Sequence, residues 1–346
     1  MAEHLDNLVT AWPWPALVAM IVVTIVMLAK GADWLVDNAV EVSVRWGVPR
    51  IVLGATVISL GTTTPEAAVS VMAAFQGRSG MALGNAVGSI ICDTGLILGI
   101  ACLIAPLRFD PLVVKRQGWV QFACGFLLVI ACLPWTDPIA VFTTGGRLPQ
   151  IWGLIFLGLL TLYIAWSVGL ARKAAAAEGL AAGAARFGLA RSVFSLVAAV
   201  AIVVITSSLL IAAAAEIANR FSVPPSIIAA TLVAFGTSLA ELTVVVTATL
   251  KGQGELAIGN VIGADILNVL FVAGAAAAVT PDGLAANSLF FFMQFPAMLF
   301  ILIVFRLGIW TARDGTFRRP FGFVLLGTYL FVTVISYLFS GAAAGH

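Results

Sequence analysis

Histidine is nearly missing from this 346-residue chain: His4 and His346, at opposite ends, are the only two. No imidazole stands within the apolar part of the sequence as a metal ligand or proton relay. That weighs against transporters that move zinc or protons through histidine. Charge is also scarce, at 10% Asp, Glu, Lys and Arg, where a soluble domain carries about 25%. The four cysteines, Cys92, Cys102, Cys124 and Cys132, fall in or beside apolar runs. They make no disulfide framework and no metal-ligand spacing, and free core thiols are expected. No Lys or Arg precedes Lys30. The basic start of a secretory signal is therefore absent, and the first apolar run is expected to be a retained span. No cofactor, enzymatic chemistry or nucleic-acid partner is expected.

What the chain does contain is apolar length. It is 61% hydrophobic, with a mean hydropathy of +1.09, and a span needs about 20 apolar residues. Ten windows qualify: 16–42, 50–75, 81–105, 118–135, 149–170, 192–219, 226–250, 256–278, 287–306 and 322–340. The first and sixth are long and expected to be interrupted or tilted. Glycines at Gly84 and Gly88 in the third, and Gly259 and Gly263 in the eighth, are expected to allow close helix approach or bending. The Ala/Gly-rich, basic segment 172–191 reads as a cytoplasmic linker between a first half, 1–171, and a second, 192–346. With the N-terminus outside, the outer loops hold only Arg78, Arg147 and Arg220, and nearly all other basic residues fall inside. Both termini are therefore expected outside, in a multi-pass protein of the cell (inner, cytoplasmic) membrane. Trp12, Trp14, Trp46, Trp119, Trp135, Trp152 and Trp310 lie near span ends, as an interfacial belt requires.

One stretch is written twice. GTTTPE at 61–66 and GNAVGSIICD at 84–93 are matched by GTSLAE at 236–241 and GNVIGADILN at 259–268, with no gap. An odd number of spans separates the copies, so they cross in opposite directions. The expected fold is an all-α integral membrane protein of ten transmembrane helices, arranged as two inverted five-helix repeats. Such plans belong to alternating-access transporters with a midplane site.

The duplicated residues carry oxygen. Thr62 and Glu66 share a helix face with Thr63 beside them, and Thr237, Ser238 and Glu241 repeat the pattern. Pro65 removes an N–H and frees a carbonyl one turn earlier, near Gly61. An acid at a helix centre costs about 2.5–3.5 kcal/mol even on the lenient insertion scale, so two at mirrored positions point to function. Hydroxyls have a plainer alternative, bonding the carbonyl one turn back. Ser89 and Asp93 share a face in the third window and match Ala264 and Asn268 in the eighth. Asn85 and Asn260 are expected to be interhelical hydrogen bonders. Asp265 is matched to Ile90, and either joins the site or points to a neighbouring crevice. Two glutamates with hydroxyl and carbonyl oxygens make a hard site suited to Ca²⁺ or Na⁺. Lys30, Asp33, Asp37 and Glu41 fall along the end of the first span, with Glu216 matching Glu41. Lys30 and Asp33 are spaced to pair, and these acids either line a cation entry path or form a solvated helix end.

The pair GTTTPE…GNAVGS and GTSLAE…GNVIGA resembles the alpha-repeats of the calcium/cation antiporter superfamily, most closely its prokaryotic sodium/calcium exchanger branch. The resemblance implies Ca²⁺ ligation by the Glu66 and Glu241 side chains and the Thr62 and Thr237 carbonyls. It implies Na⁺ ligation by Thr63, Ser89, Thr237 and Ser238, with carbonyls near Ser59 and Ala234, and central lateral places for Asp93 and Asn268. It further implies that the two long helices, spans one and six, slide against the rest. The chain departs from the family pattern at Ala240, where proline is usual, at Ala264, where serine is usual, and at Asp265, where asparagine is common. A proton-coupled exchanger of the same fold is the alternative, ahead of a passive cation channel. An intramembrane protease using Asp93 and Asp265 has no supporting motif around either. Inorganic cations and the lipid bilayer are the expected partners, with a monomer as the working oligomeric state.

Overall fold

Backbone in lipid must satisfy its own N–H and C=O groups, and a helix does so within one segment. The computed structural model describes residues 12–46, 48–135, 137–177, 189–221, 237–312 and 314–343. These residues are helical apart from turns and four short strands. The elements in order are α1 (Trp14–Trp46), α2 (Arg50–Thr62), α3 (Thr64–Phe75), α4 (Ser79–Ile104), β1 (Leu107–Arg108), α5 (Pro111–Cys132), β2 (Gly146–Leu148) and α6 (Gln150–Ala177). Then come α7 (Leu189–Arg220), α8 (Leu239–Leu250), α9 (Gly254–Ala278), β3 (Leu284–Ala286), α10 (Phe290–Thr311), β4 (Thr316–Phe317) and α11 (Arg319–Ala343).

Among the described residues, seven helices are long and apolar enough to cross a membrane, while α2, α8 and the 319–335 part of α11 are shorter apolar stretches. The ten sequence windows therefore meet these seven helices, the 25-residue α11, α2 with α3, and α8, and window 226–250 lies partly outside the described residues. Window 118–135 is displaced. Its helix starts at Pro111, because the Asp110 carboxylate caps it by accepting from the Leu112 and Val113 amides at 2.8 and 3.4 Å. The long helices are unbroken: α1 has 33 residues and α7 has 32. Both ends of the expected linker are helical too, since α6 continues to Ala177 and α7 begins at Leu189. Alanine favours helix in that segment.

Burial separates centre from periphery. In α9, 83% of the apolar window is buried, against 28% for α1 and 22% for α6. The α9 helix is thus the core. It is packed by α2, α8, α4 and α5, while α1 lies along α7 at one flank. The exposed face of α1 is aliphatic, with Val18, Val22, Ile25 and Val26 about half exposed, as contact with lipid tails requires.

Loop contacts sort the helix ends into two groups. At one end β1 pairs with β4, Arg50 bonds Gln253 at 2.7 Å, and Lys251 meets Asp37 at 2.7 Å and Asp33 at 3.4 Å. At the other end β2 pairs with β3, Arg147 donates to the Asp282 carbonyl at 2.6 Å, and Arg220 donates to the Trp12 carbonyl at 2.7 Å. Asp33 was expected to pair with Lys30 one turn away. It pairs instead with Lys251, which extends from the end of α8 to the flank of α1. Burial pulls the Lys251 ammonium down, but hydrogen bonds and charge from Asp37 and Asp33 outweigh it and hold the group above its ordinary value.

The approach of α2 to α9 fixes the core. A Cβ on Gly54 would stand 2.7 Å from the Leu256 carbonyl oxygen and 2.9 Å from the Asn260 amide nitrogen. A Cβ on Gly259 would stand 2.8 Å from Ile51 Cα. These are backbone-to-backbone contacts, open only to glycine. The expectation of close approach is met at Gly259 of α9; at Gly88 of α4 no described residue lies within 4 Å of an added Cβ.

Candidate cation site

The crossing through α2 and α3 is broken where the first repeated motif lies. Helix α2 ends at Thr62, Thr63 adopts φ −83° and ψ −3°, and α3 restarts with Pro65 in its first turn. Proline is tolerated there because the missing N–H would be unpaired anyway. Glu66 then falls in the first turn of α3, where the positive end of the helix dipole favours a carboxylate. The second copy does the same without proline. Ser238 has φ −83° and ψ 8°, α8 starts at Leu239, and Glu241 lies in its first turn. The departure at Ala240 therefore leaves the break in place.

The two glutamates are brought together in the core, at 1% and 2% exposure. Glu66 faces the carboxylates of Glu241 and Asp93 and lies beside Thr237. The Thr63 hydroxyl donates to Glu241 Oε1 at 3.2 Å, and Thr62 flanks the same carboxylate. Ser238 lies beside Asp93. The Asn268 amide donates to Asp93 Oδ2 at 3.3 Å across 175 residues of sequence, the spacing of the repeat. Ser89 is buried one turn from Asp93, and its counterpart Ala264 is fully buried. The Ser59 carbonyl accepts from the Thr63 amide at 2.8 Å and the Thr62 hydroxyl at 3.3 Å. Its hydroxyl is turned toward the Gly54 carbonyl at 2.5 Å and the Asn260 carbonyl at 3.0 Å. Ala234 lies outside the described residues.

Among the described residues, many of these oxygens close no hydrogen bond of ordinary geometry: both of Glu66, Oε2 of Glu241, Oδ1 of Asp93, Oγ of Ser238 and Oδ1 of Asn268. Buried acceptors left unpaired cost free energy, and a cation is the partner that relieves several at once. Among the described residues no group of three Asp, Glu, Cys or His side chains is placed to hold a metal ion by itself. A cation here would draw on hydroxyl and carbonyl oxygens beside the two glutamates, as Ca²⁺ and Na⁺ do.

Asn85 joins helices as expected, donating to the Glu66 carbonyl at 3.3 Å and the Ser70 hydroxyl at 3.0 Å. Asp265 is bonded toward a neighbouring crevice through one oxygen, while its Oδ1 has no hydrogen-bond partner among the described residues. Its Oδ2 accepts from Thr94 and from the Gln121 amide at 2.5 Å, although Asp93 stands near. Beyond it, the Tyr163 hydroxyl lies 3.0 Å from the Ala55 carbonyl and 3.2 Å from Gln117 Oε1. Sequence reasoning passed over Thr94, Gln117, Gln121 and Tyr163. The signal for the glutamines was two amides one turn apart in an apolar helix. Also unforeseen were the wide π turns at Cys92–Ile97 and Asn268–Ala273. They set Asp93 and Asn268 at matched helix irregularities, a common setting for functional groups.

Membrane-length helices around a buried cluster of carboxylate and hydroxyl oxygens define a multi-pass membrane protein of the cation-transporter class. Comparison with known proteins agrees. The family model described as sodium/calcium exchanger protein matches twice, over residues 16–169 and 191–338. Sodium/calcium exchanger MaX1 of Methanosarcina acetivorans is 30% identical over 91% of this chain and 97% of its own. Inner membrane protein YrbG of Escherichia coli is 30% identical over 90% of this chain and 94% of its own. Among solved structures, the sodium-calcium exchanger NCX_Mj superposes with a TM-score of 0.76 at 25% identity, covering 92% of this chain and 98% of that one. The chain belongs to the sodium/calcium exchanger protein family, a family of membrane exchangers and not of enzymes.

Proposed function

We propose that the protein is a secondary antiporter that exchanges Ca²⁺ for Na⁺ across the cytoplasmic membrane by alternating access. The observation that carries this reading is the meeting of Glu66 and Glu241, each on the first turn of a restarted helix, with unpaired carboxylate oxygens in the core. Ca²⁺ is bound by these carboxylates and by the Thr62 and Thr237 carbonyls. Na⁺ is bound by Thr63, Ser89, Thr237 and Ser238 with nearby carbonyls. Asp93 and Asn268 flank the centre.

The architecture in this reading is ten helices in two inverted halves, 1–171 and 192–346, joined by 172–191, with both termini outside. The contact between Asp93 and Asn268 supports it. Residues matched by a repeat that touch each other must straddle the axis relating the halves. With the site empty, two glutamate charges resist crossing the apolar barrier. One divalent ion or several monovalent ions neutralise them, which couples the fluxes. The moving body is the α1–α7 pair, which packs lengthwise on itself and slides against the α9 core.

One observation favours a second reading. Ala264 supplies no hydroxyl opposite Ser89, so one Na⁺ position is a ligand short, and protons on the same glutamates would serve as counter-ion. Ca²⁺ uptake into proteoliposomes separates the two. Uptake driven by an outward Na⁺ gradient and not by a pH gradient supports Na⁺ exchange; the reverse supports proton exchange. Uptake that needs neither gradient would indicate a passive channel and overturn both.

A further inference from the structure

A second feature lies far from the carboxylate centre, where β1 and β4 pair at the helix ends that also carry Lys251 and Arg50. Between them opens a cavity of about 890 Å³ lined by Arg108, Phe109, Asp314, Thr316, Arg318 and Arg319, among others. Phe109 supplies an apolar part of the lining; its ring lies 4.5 Å from that of Phe317, tilted by 41°, and both are buried. Its rim is basic. Arg318 is engaged by Asp314 at 2.8 Å, and that contact holds the Asp314 carboxyl below its usual range. Arg108 and Arg319 have no ion pair among the described residues. The cavity also sits at the start of α11, a 25-residue helix with no acid in its first turn.

The depth of the cavity is marked by aromatic residues. Trp310, in the last turn of α10, is 69% exposed, and Phe323, one turn into α11, is 67% exposed. Trp119, on the neighbouring α5, is 53% exposed and carries the Arg306 guanidinium over its ring at 4.0 Å. Exposed tryptophan beside arginine is the signature of the headgroup layer of a bilayer. On α11 the chain passes from this aromatic level at Phe323 to Arg319 in about one turn. We propose that this cavity binds a phosphate-bearing anion through Arg108 and Arg319, with the headgroup of an anionic phospholipid as the occupant that its depth fits. Basic pockets between spanning helices take such headgroups, and guanidinium groups match the phosphate geometry. Asp314 competes with the anion for Arg318.

The test is a thermal-unfolding titration of the full chain in neutral detergent. Phosphatidylglycerol, phosphatidylcholine and inorganic phosphate are added separately. Phosphatidylglycerol is expected to raise the midpoint where phosphatidylcholine does not. Arg108→Gln and Arg319→Gln should each raise the lipid concentration needed by about fivefold. Asp314→Asn, an exposed substitution that leaves packing alone, should lower it by freeing Arg318. Equal protection by inorganic phosphate, lost in the same arginine variants, would assign the site to a soluble anion. Two results would overturn the proposal: equal effects of the two lipids with no effect of phosphate, or unchanged titrations in all three variants.

Discussion

Alanine at Gly259 tests the packing that holds the site together. The added Cβ would stand 2.8 Å from Ile51 Cα and 3.0 Å from the Ile51 carbonyl carbon, with the Ile51 oxygen closer still. Ordinary carbon contacts lie at about 3.5–4.0 Å. The clash is with backbone, so no rotamer change relieves it, and α2 must move away from α9. Overpacking of this kind costs about 1–3 kcal/mol. Gly54→Ala meets the same interface from the other side, at 2.7 Å from the Leu256 oxygen. The two substitutions share one displacement, so the double variant should cost less than the sum. Gly158→Ala is the control: the residue is exposed on α6, no described residue lies within 4 Å of its Cβ, and alanine gains about 0.5–1 kcal/mol over glycine within a helix. Thermal unfolding in detergent reads the series. Gly259→Ala and Gly54→Ala should lower the midpoint by several degrees while Gly158→Ala leaves it unchanged or raises it. Equal midpoints for Gly259→Ala and Gly158→Ala would refute the reasoning.

Three further outcomes are expected. Asp265→Asn keeps one oxygen to accept from Thr94 and Gln121 and should preserve thermal stability. Asp265→Ala strands the Thr94 hydroxyl in the core and leaves the Gln121 amide only its 3.2 Å bond to Thr94 Oγ1, and should cost about 1–3 kcal/mol in the same assay. Lys251→Gln removes ion pairs that are partly exposed, so its loss should stay below about 1 kcal/mol. Because the folded lysine is held above its unfolded value, the contribution is present below that value and fades as pH rises through the folded one. The difference between wild type and Lys251→Gln should therefore be flat from pH 6 to 9 and shrink only above about pH 10. Ala264→Ser supplies the hydroxyl opposite Ser89 and should lower the Na⁺ concentration for half-maximal Ca²⁺ exchange; an unchanged Na⁺ dependence would remove Ala264 from the site.

The central residues were legible because duplication writes them twice. Glu66 and Glu241, Asp93 and Asn268 each sit at the same offset, and the structure buries all four, with Asn268 against Asp93. What could not be read was tertiary. Gln121 reaches Asp265 from another helix, 144 residues away in sequence, and no local pattern announces that partner. A π turn is a one-residue slip of the helix ladder tolerated by packing, so the irregularities at Asp93 and Asn268 leave no local signature. Local rules also misdirected. The i,i+3 spacing favoured Lys30 for Asp33, yet the end of α8 brings Lys251 there. Proline suggested why the first crossing breaks, yet the second breaks at Ser238 with alanine in the proline position.

The account rests on two glutamates sharing one cation, and radiolabelled Ca²⁺ uptake by proteoliposomes of Glu66→Gln and Glu241→Gln tests it most directly. Glutamine keeps the volume and removes the charge, so circular dichroism and thermal midpoint should match wild type. Each single variant is expected to lose exchange altogether, because one remaining carboxylate neither balances a divalent ion nor completes its oxygen shell. Wild-type uptake in both variants, with protein inserted at wild-type levels, would contradict the assignment of the site.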